Sequence, residues 1–255
     1  YGVAPDHPRI KGIIKALYEV LDRGDIRFFG NVTYGKDITL EDLKKHYNAV
    51  IFSTGAIEDA DLKIPGIELD GSFGAAAFVN WYDAHPDFGR QWDLSAKEIA
   101  VIGNGNVALD VARVLVKSPA QMLETDIPEN VYQGLLASKA TDVHVFGRRG
   151  PAQVKFSPLE LREAVHVEGV DTIVHDEDFV YDEGSNKQIE SNNQTRVMVK
   201  TLEELRGKEQ TGAARRLHLH FFSSPVEVIG ENGKVKALKI ERTKLDGNGG
   251  VVPTG

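Results

Sequence analysis

The segment Val101-Ile102-Gly103-Asn104-Gly105-Asn106-Val107-Ala108 constrains this chain more than any other. Glu98 to Ile102 is a short apolar run rich in β-branched residues. After the glycines, Val107, Val111 and Val114 follow helical spacing. The segment therefore reads as strand, glycine turn and helix. Gly103 permits the sharp turn, Gly105 lacks the Cβ that would block a pyrophosphate, and the small Ala108 lets the helix sit close to the strand. Phosphates would lie on free backbone N–H groups at the positive end of the helix dipole.

A site for NAD usually ends its second strand in an acidic residue, about 20 positions on, that accepts the ribose 2′-hydroxyl. Here the next strand, Asp142 to Phe146, ends in Gly147-Arg148-Arg149. It is delayed by an insert, Pro119 to Ser138, that reads as a turn and a helix. Asp126 and Glu129 stand nearer the usual distance but fall inside that insert, where a solvated role is expected. An arginine fork suits a 2′-phosphate through parallel charge-assisted hydrogen bonds. At about 1.5–3 kcal/mol per bond, two arginines favour NADP over NAD by ~10²- to 10⁴-fold. The competing reading of Arg148 and Arg149 is a solvated basic loop.

Composition narrows the remaining classes. The chain has 255 residues, 41% of them hydrophobic, enough for a sizeable core in one or two domains. A formal charge of −8 argues against nucleic acid and anionic membrane surfaces as partners. No apolar run approaches the ~18–20 residues of a spanning helix and no signal peptide is visible, so a cytoplasmic protein is expected. Cysteine is absent, which removes disulfides, cysteine-ligated clusters and redox dithiols. The eight histidines show neither His-x₃-His nor His-Glu-x₂-His spacing, so no metal site is expected.

Other segments suggest further elements. Ile10, Ile13, Ile14, Leu17 and Leu21 lie at helical spacing, and Ile26 to Val32 reads as extended. Thr39 caps a short helix, Leu40 to His46, and Asn48 to Ser53 reads as a buried strand running into Thr54-Gly55-Ala56. Phe73 to His85 reads as a helix whose Phe78, Trp81 and Tyr82 pack in a core. Ser157-Pro158-Leu159-Glu160 has the pattern of a helix start. Residues 182 to 194 read as a polar loop and Val197 to Leu205 as a short helix. Arg216 to Ile229 and Lys234 to Arg242 alternate like antiparallel strands.

Three stretches together resemble the adrenodoxin-reductase-like ferredoxin-NADP reductases. They are Tyr1-Gly2-Val3-Ala4-Pro5-Asp6-His7-Pro8, then Phe29-Gly30-Asn31-Val32 with Ser53-Thr54-Gly55-Ala56, and Gly147 to Glu163. The resemblance implies an α/β fold: a Rossmann-like three-layer dinucleotide-binding domain with a small antiparallel sheet, plus part of an FAD-binding domain. It assigns residues 1–58 to the partial FAD domain and 59–255 to an inserted NADP-binding domain. The chain would then be an internal fragment, with the FAD glycine fingerprint preceding Tyr1. In such enzymes a hydride passes from NADPH to FAD, and single electrons pass on to a ferredoxin-type iron-sulfur protein.

The same resemblance implies roles for individual residues. Gly103, Asn104, Gly105, Asn106, Val107 and Ala108 match the pyrophosphate loop, and Arg148 and Arg149 match the pair on the 2′-phosphate. Glu160 matches a glutamate near the nicotinamide ribose or carboxamide. His7 and Glu163 match a histidine and a glutamate near the two reacting rings; taken without the family, they read as a helix cap and a solvated charge. Arg162, Arg196 and Lys200 are candidates for docking the iron-sulfur partner, or else a solvated face. Two rivals stand beside this reading: a flavoprotein of the glutamate-synthase small-subunit type, and a non-catalytic NADPH-binding module.

Overall fold

The computed structural model describes residues 4–7, 11–55, 59–60 and 62–254. Tyr1 to Val3, Pro8 and Ala56, all part of the motifs above, lie outside the described residues, as does Glu58 at the expected boundary. Chain contacts define two compact units, a small one over 7–59 and a large one joining the N-terminal residues up to Asp6 to those from Ala60 onward.

In the small unit, α1 (Ile13–Asp22) and α2 (Leu40–His46) form where the spacing places them. Thr39 and Asp42 cap α2 reciprocally, the Thr39 hydroxyl accepting from the Asp42 N–H at 3.2 Å and the Asp42 carboxylate accepting from the Thr39 N–H at 3.2 Å. Two expectations fail. Neither Ile26 to Val32 nor Asn48 to Ser53 forms a strand, and the second is not buried: Ile51 is 87% exposed. A strand needs a neighbour to accept its ladder of N–H and C=O groups, and among the described residues of this unit only the isolated bridge Tyr34–Ile38 is formed.

The large unit begins with α3 (Ala75–Tyr82), whose Phe78, Trp81 and Tyr82 are buried. Next come β1 (Glu98–Ile102), α4 (Asn106–Val116), α5 (Pro119–Leu123), α6 (Glu129–Ala137) and β2 (Asp142–Phe146). The insert thus holds two helices rather than one. After β2 come α7 (Pro158–Val165), β3 (Val170–Val174), α8 (Glu183–Ser191), α9 (Asn193–Glu203) and β4 (Arg215–His220). Residues 182–194 are therefore largely helical, not a loop. Asp182 and Asn192 accept hydrogen bonds at the starts of α8 and α9, so two capped helices replace the loop that polarity alone suggests.

The four strands form one parallel sheet in the order β1-β2-β4-β3. Its register puts Val101, Val143, Val145, Leu217 and Leu219 on one face, where they join Leu109, Ala112 and Val116 of α4 and Leu161 of α7 in the core. This is the α/β dinucleotide-binding arrangement. The stretch Arg216 to Ile229 is not one antiparallel strand. It divides at Phe221-Phe222, where Phe222 takes a left-handed φ of 49°. The first half enters the parallel sheet, while β5 (Ser223–Glu231) pairs antiparallel with β6 (Lys234–Leu245), which pairs with β7 (Val251–Pro253).

Candidate functional site

The glycine loop joins β1 to α4 at the C-terminal edge of the parallel sheet, where open α/β sheets hold their ligands. Gly103 has φ +139°, a conformation that penalises a side chain, and a Cβ added there would stand 3.6 Å from the Cβ of Ala108. Gly105 is the N-cap of α4 with ordinary extended backbone and no side-chain cap. A Cβ at Gly105 would meet nothing within 4 Å, so its missing side chain leaves open space over the helix N-terminus. Ala108 is buried, as close helix packing requires, and Val107 is 53% exposed.

The arginine turn touches this loop. A Cβ on Gly147 would come within 2.3 Å of Asn104 Nδ2, which explains a glycine between β2 and Arg148. Arg148 is exposed and Arg149 half-buried. Two donors here, Asn104 Nδ2 and Arg149 Nε, are buried with no hydrogen-bond partner among the described residues. Buried polar groups are nearly always paired, and an orphaned N–H is costly. Two such donors, one in the loop that leads to an open helix N-terminus and one in the turn that meets this loop at Gly147, fit an anionic ligand.

The loop is also stitched to the segment that leads into α7. Lys155 N–H donates to the Asn104 carbonyl at 2.8 Å, and Ser157 N–H donates to Asn106 Oδ1 at 2.8 Å. Asn106 thus serves the scaffold in this structure. Ser157 caps α7 by accepting from the Glu160 N–H at 3.2 Å, as the sequence pattern predicts.

Beneath these elements lies a charge cluster that sequence reasoning missed. The Arg113 side chain is 1% exposed, yet carries a full charge. It donates from Nε and Nη2 to Asp6 at 2.6 and 3.1 Å, from Nη2 to Asp110 at 2.6 Å, and from Nη1 to Glu160 at 2.9 Å. Glu163 stands 3.9 Å from the same guanidinium, and Lys117 donates to Asp6 at 2.7 Å. Burial alone would raise the Asp6 carboxyl, but Arg113 and Lys117 overcome it and hold the group at about 2. Burial likewise opposes the charge on Arg113, and the carboxylates outweigh it. The signal was present in the helix: Leu109, Ala112, Arg113 and Val116 share the buried stripe of α4, so an arginine there needs a buried acid.

Of the predicted catalytic pair, Glu163 therefore joins Glu160 around Arg113, while His7 opens the small unit directly after Asp6. The docking candidates are all exposed. Arg162 lies on α7, and Arg196 and Lys200 lie on α9, where Arg196 bonds to Asn193 at 3.0 Å and Lys200 pairs loosely with Glu204 at 3.8 Å. Among the described residues no helix is long and apolar enough to cross a membrane.

No family model matches the chain. Individual proteins do. NADPH-ferredoxin reductase FprA of Mycobacterium leprae is 41% identical over 98% of this chain and 55% of its own length. Mitochondrial NADPH:adrenodoxin oxidoreductase of Bos taurus is 36% identical over 100% of this chain and 54% of its own. The solved structure of Mycobacterium tuberculosis FprA in complex with NADPH superposes with a TM-score of 0.89 at 39% identity, covering 99% of this chain and 56% of that one. The chain spans about half the length of the curated relatives it matches. In sequence and fold, nearly from end to end, it is a relative of the adrenodoxin-reductase-like ferredoxin-NADP reductases.

Proposed function

We propose that the chain is the NADPH-binding portion of a flavoprotein oxidoreductase that carries electrons from NADPH through FAD to a ferredoxin-type iron-sulfur protein. The observation that carries this reading is the pair of orphaned donors, Asn104 Nδ2 in the glycine loop and Arg149 Nε in the turn that meets that loop at Gly147, together with the unfilled space over Gly105. Gly103, Gly105 and the N-terminal N–H groups of α4 would hold the pyrophosphate. Arg148 and Arg149 would hold the 2′-phosphate. Asn104 packs its amide against Gly147, and its unpaired Nδ2 would donate to the same cofactor.

When bound, NADPH supplies a hydride and FAD divides the electron pair into single electrons. The residues of this chain position and shield. Arg113 fixes Glu160 at 2.9 Å and stands 3.9 Å from Glu163, and these two carboxylates of α7 would face the nicotinamide end. Asp6, held by Arg113 and Lys117, anchors the backbone that leads into His7. His7 and Glu163 would orient the rings and handle the proton that accompanies flavin reduction.

Residues 1–58 would be part of the FAD-binding domain and residues 59–255 the NADP-binding domain. Phe28 at 81% and Ile51 at 87% exposure, with Phe29 and Phe52, present an apolar surface of the kind that other protein normally covers. Arg162, Arg196 and Lys200 would steer the acidic partner.

Rapid mixing of the full-length protein, reconstituted with FAD, against NADPH tests the proposal. Loss of the oxidised flavin absorbance, followed by reduction of an added ferredoxin, is the expected result. Well-bound flavin that NADPH leaves oxidised would contradict it.

A further inference from the structure

Histidine spacing along the chain shows no metal motif, but the parallel sheet brings distant histidines together. His144 on β2 stands directly beside His218 on β4 in the register, and Phe146 stands beside His220. All four side chains lie on the face alternate to the Val143 and Leu217 core. A ring nitrogen from each of His144, His218 and His220 lies within 4.8 Å of the others, and all three residues are half-buried. We propose that these three histidines form a site for one divalent transition-metal ion of the zinc type.

The spacing suits such an ion. His144 Nδ1 stands 3.0 Å from His220 Nε2. Ligand nitrogens about 2.0–2.1 Å from zinc in a tetrahedron lie only slightly farther apart than this. One proton now bridges that pair, and a tautomer shift moves it to an outer ring nitrogen, freeing both inward lone pairs. The third ring, His218, stacks on His144 at 4.2 Å between centroids with the planes 14° apart, so it has to tilt for its lone pair to meet the ion. His218 Nε2 sits 2.8 Å from Asp142 Oδ1, so its proton belongs there and Nδ1 keeps its lone pair. A carboxylate behind a ligating imidazole is the usual support of a metal site. Arg216 in turn fixes Asp142 with two bonds of 2.5 Å.

The donor set selects the class of ion. Imidazoles favour zinc, copper, nickel or iron, whereas magnesium and calcium take oxygen ligands. A fourth ring, His175, stacks on His220 at 4.5 Å between centroids. Its Nε2 is buried with no hydrogen-bond partner among the described residues. Four imidazoles gathered on one sheet face supply the donors, with the fourth ligand position left for water or for His175 after a ring rotation.

Calorimetric titration of the chelator-treated full chain with Zn²⁺, repeated with Co²⁺ while recording its visible spectrum, tests the proposal. One equivalent should bind, Co²⁺ should develop the intense visible bands of four-coordination, and the melting temperature should rise with the metal. His144→Phe with His220→Phe keeps the stack but removes two ligands, and should weaken binding at least about tenfold. His218→Gln provides a second test should that variant fail to fold. His46→Gln with His85→Gln and His166→Gln should leave binding unchanged. No saturable binding, or binding that survives loss of the sheet histidines, overturns the proposal.

Discussion

The guanidinium of Arg113 grips the carboxylate of Asp6 through two hydrogen bonds, 2.6 Å from Nε and 3.1 Å from Nη2, across 107 residues of sequence. Both side chains are 1% exposed. The pair ties the segment before His7 to the helix that begins at the dinucleotide loop. Removing one partner strands the other charge in the core. Arg113→Met should therefore destabilise the protein by about 3–5 kcal/mol in urea unfolding. The double variant with Asp6→Asn should recover part of that loss, because the most deeply buried of the stranded carboxylates is gone. A single-variant effect under about 1 kcal/mol would mean the cluster is solvated.

The same cluster sets an acid limit. The folded Asp6 carboxyl sits at about 2 against an ordinary 3.8, so its contribution is complete above about pH 4 and disappears as pH falls through 2. His220 acts in a different window. Its folded value of about 3 against 6.5 means that the unfolded chain binds the extra proton, so stability declines as pH falls from 6.5 toward 3. Unfolding free energy measured from pH 7 to 4 should slope downward in the native protein and more weakly in His220→Phe. Equal slopes would remove His220 from the account.

Gly105 separates binding from folding. Its backbone is ordinary and a Cβ would meet no protein atom within 4 Å, so Gly105→Val should change stability by less than about 1 kcal/mol. The valine would occupy the space assigned to the pyrophosphate, and NADPH affinity should fall at least about tenfold. Calorimetry on a variant of unchanged melting temperature checks this. Retained affinity would move the phosphates off the loop. Gly103→Val, at φ +139°, should instead lower stability by about 1–3 kcal/mol.

Partner docking is testable by salt. Reversing Arg196 and Lys200 to glutamate should slow ferredoxin reduction by the full-length protein and flatten its dependence on ionic strength, because long-range steering is screened. Steady-state rates from low to high salt measure it. Unchanged rates would assign both residues to a plain solvated face.

Elements governed by local rules were legible in the sequence. The glycine loop, the capped helix at Thr39 and the Ser157-Pro158 start all lie where spacing and capping put them. Elements decided by distant partners were not. Asn48 to Ser53 has the composition of a buried strand yet has no strand neighbour among the described residues of its unit, and the run from Arg216 divides between two sheets at Phe222. The site followed the same rule. Gly103 and Gly105 announce themselves through backbone demands, whereas Asp6, Asp110 and Lys117 acquire meaning only once Arg113 is seen buried among them. The paired histidines His218 and His220 alternate on one strand face, but His144 reaches them only through the parallel register.

The most direct test is binding of NADPH and NADH, side by side, to the native chain and to Arg148→Ala with Arg149→Ala. A 2′-phosphate held by the arginine turn gives the native chain a preference for NADPH of ~10²- to 10⁴-fold. The double variant should lose most of that preference while its NADH affinity stays unchanged. Equal weakening of both nucleotides, or a preference that survives the substitutions, would contradict the assignment of this turn to NADP.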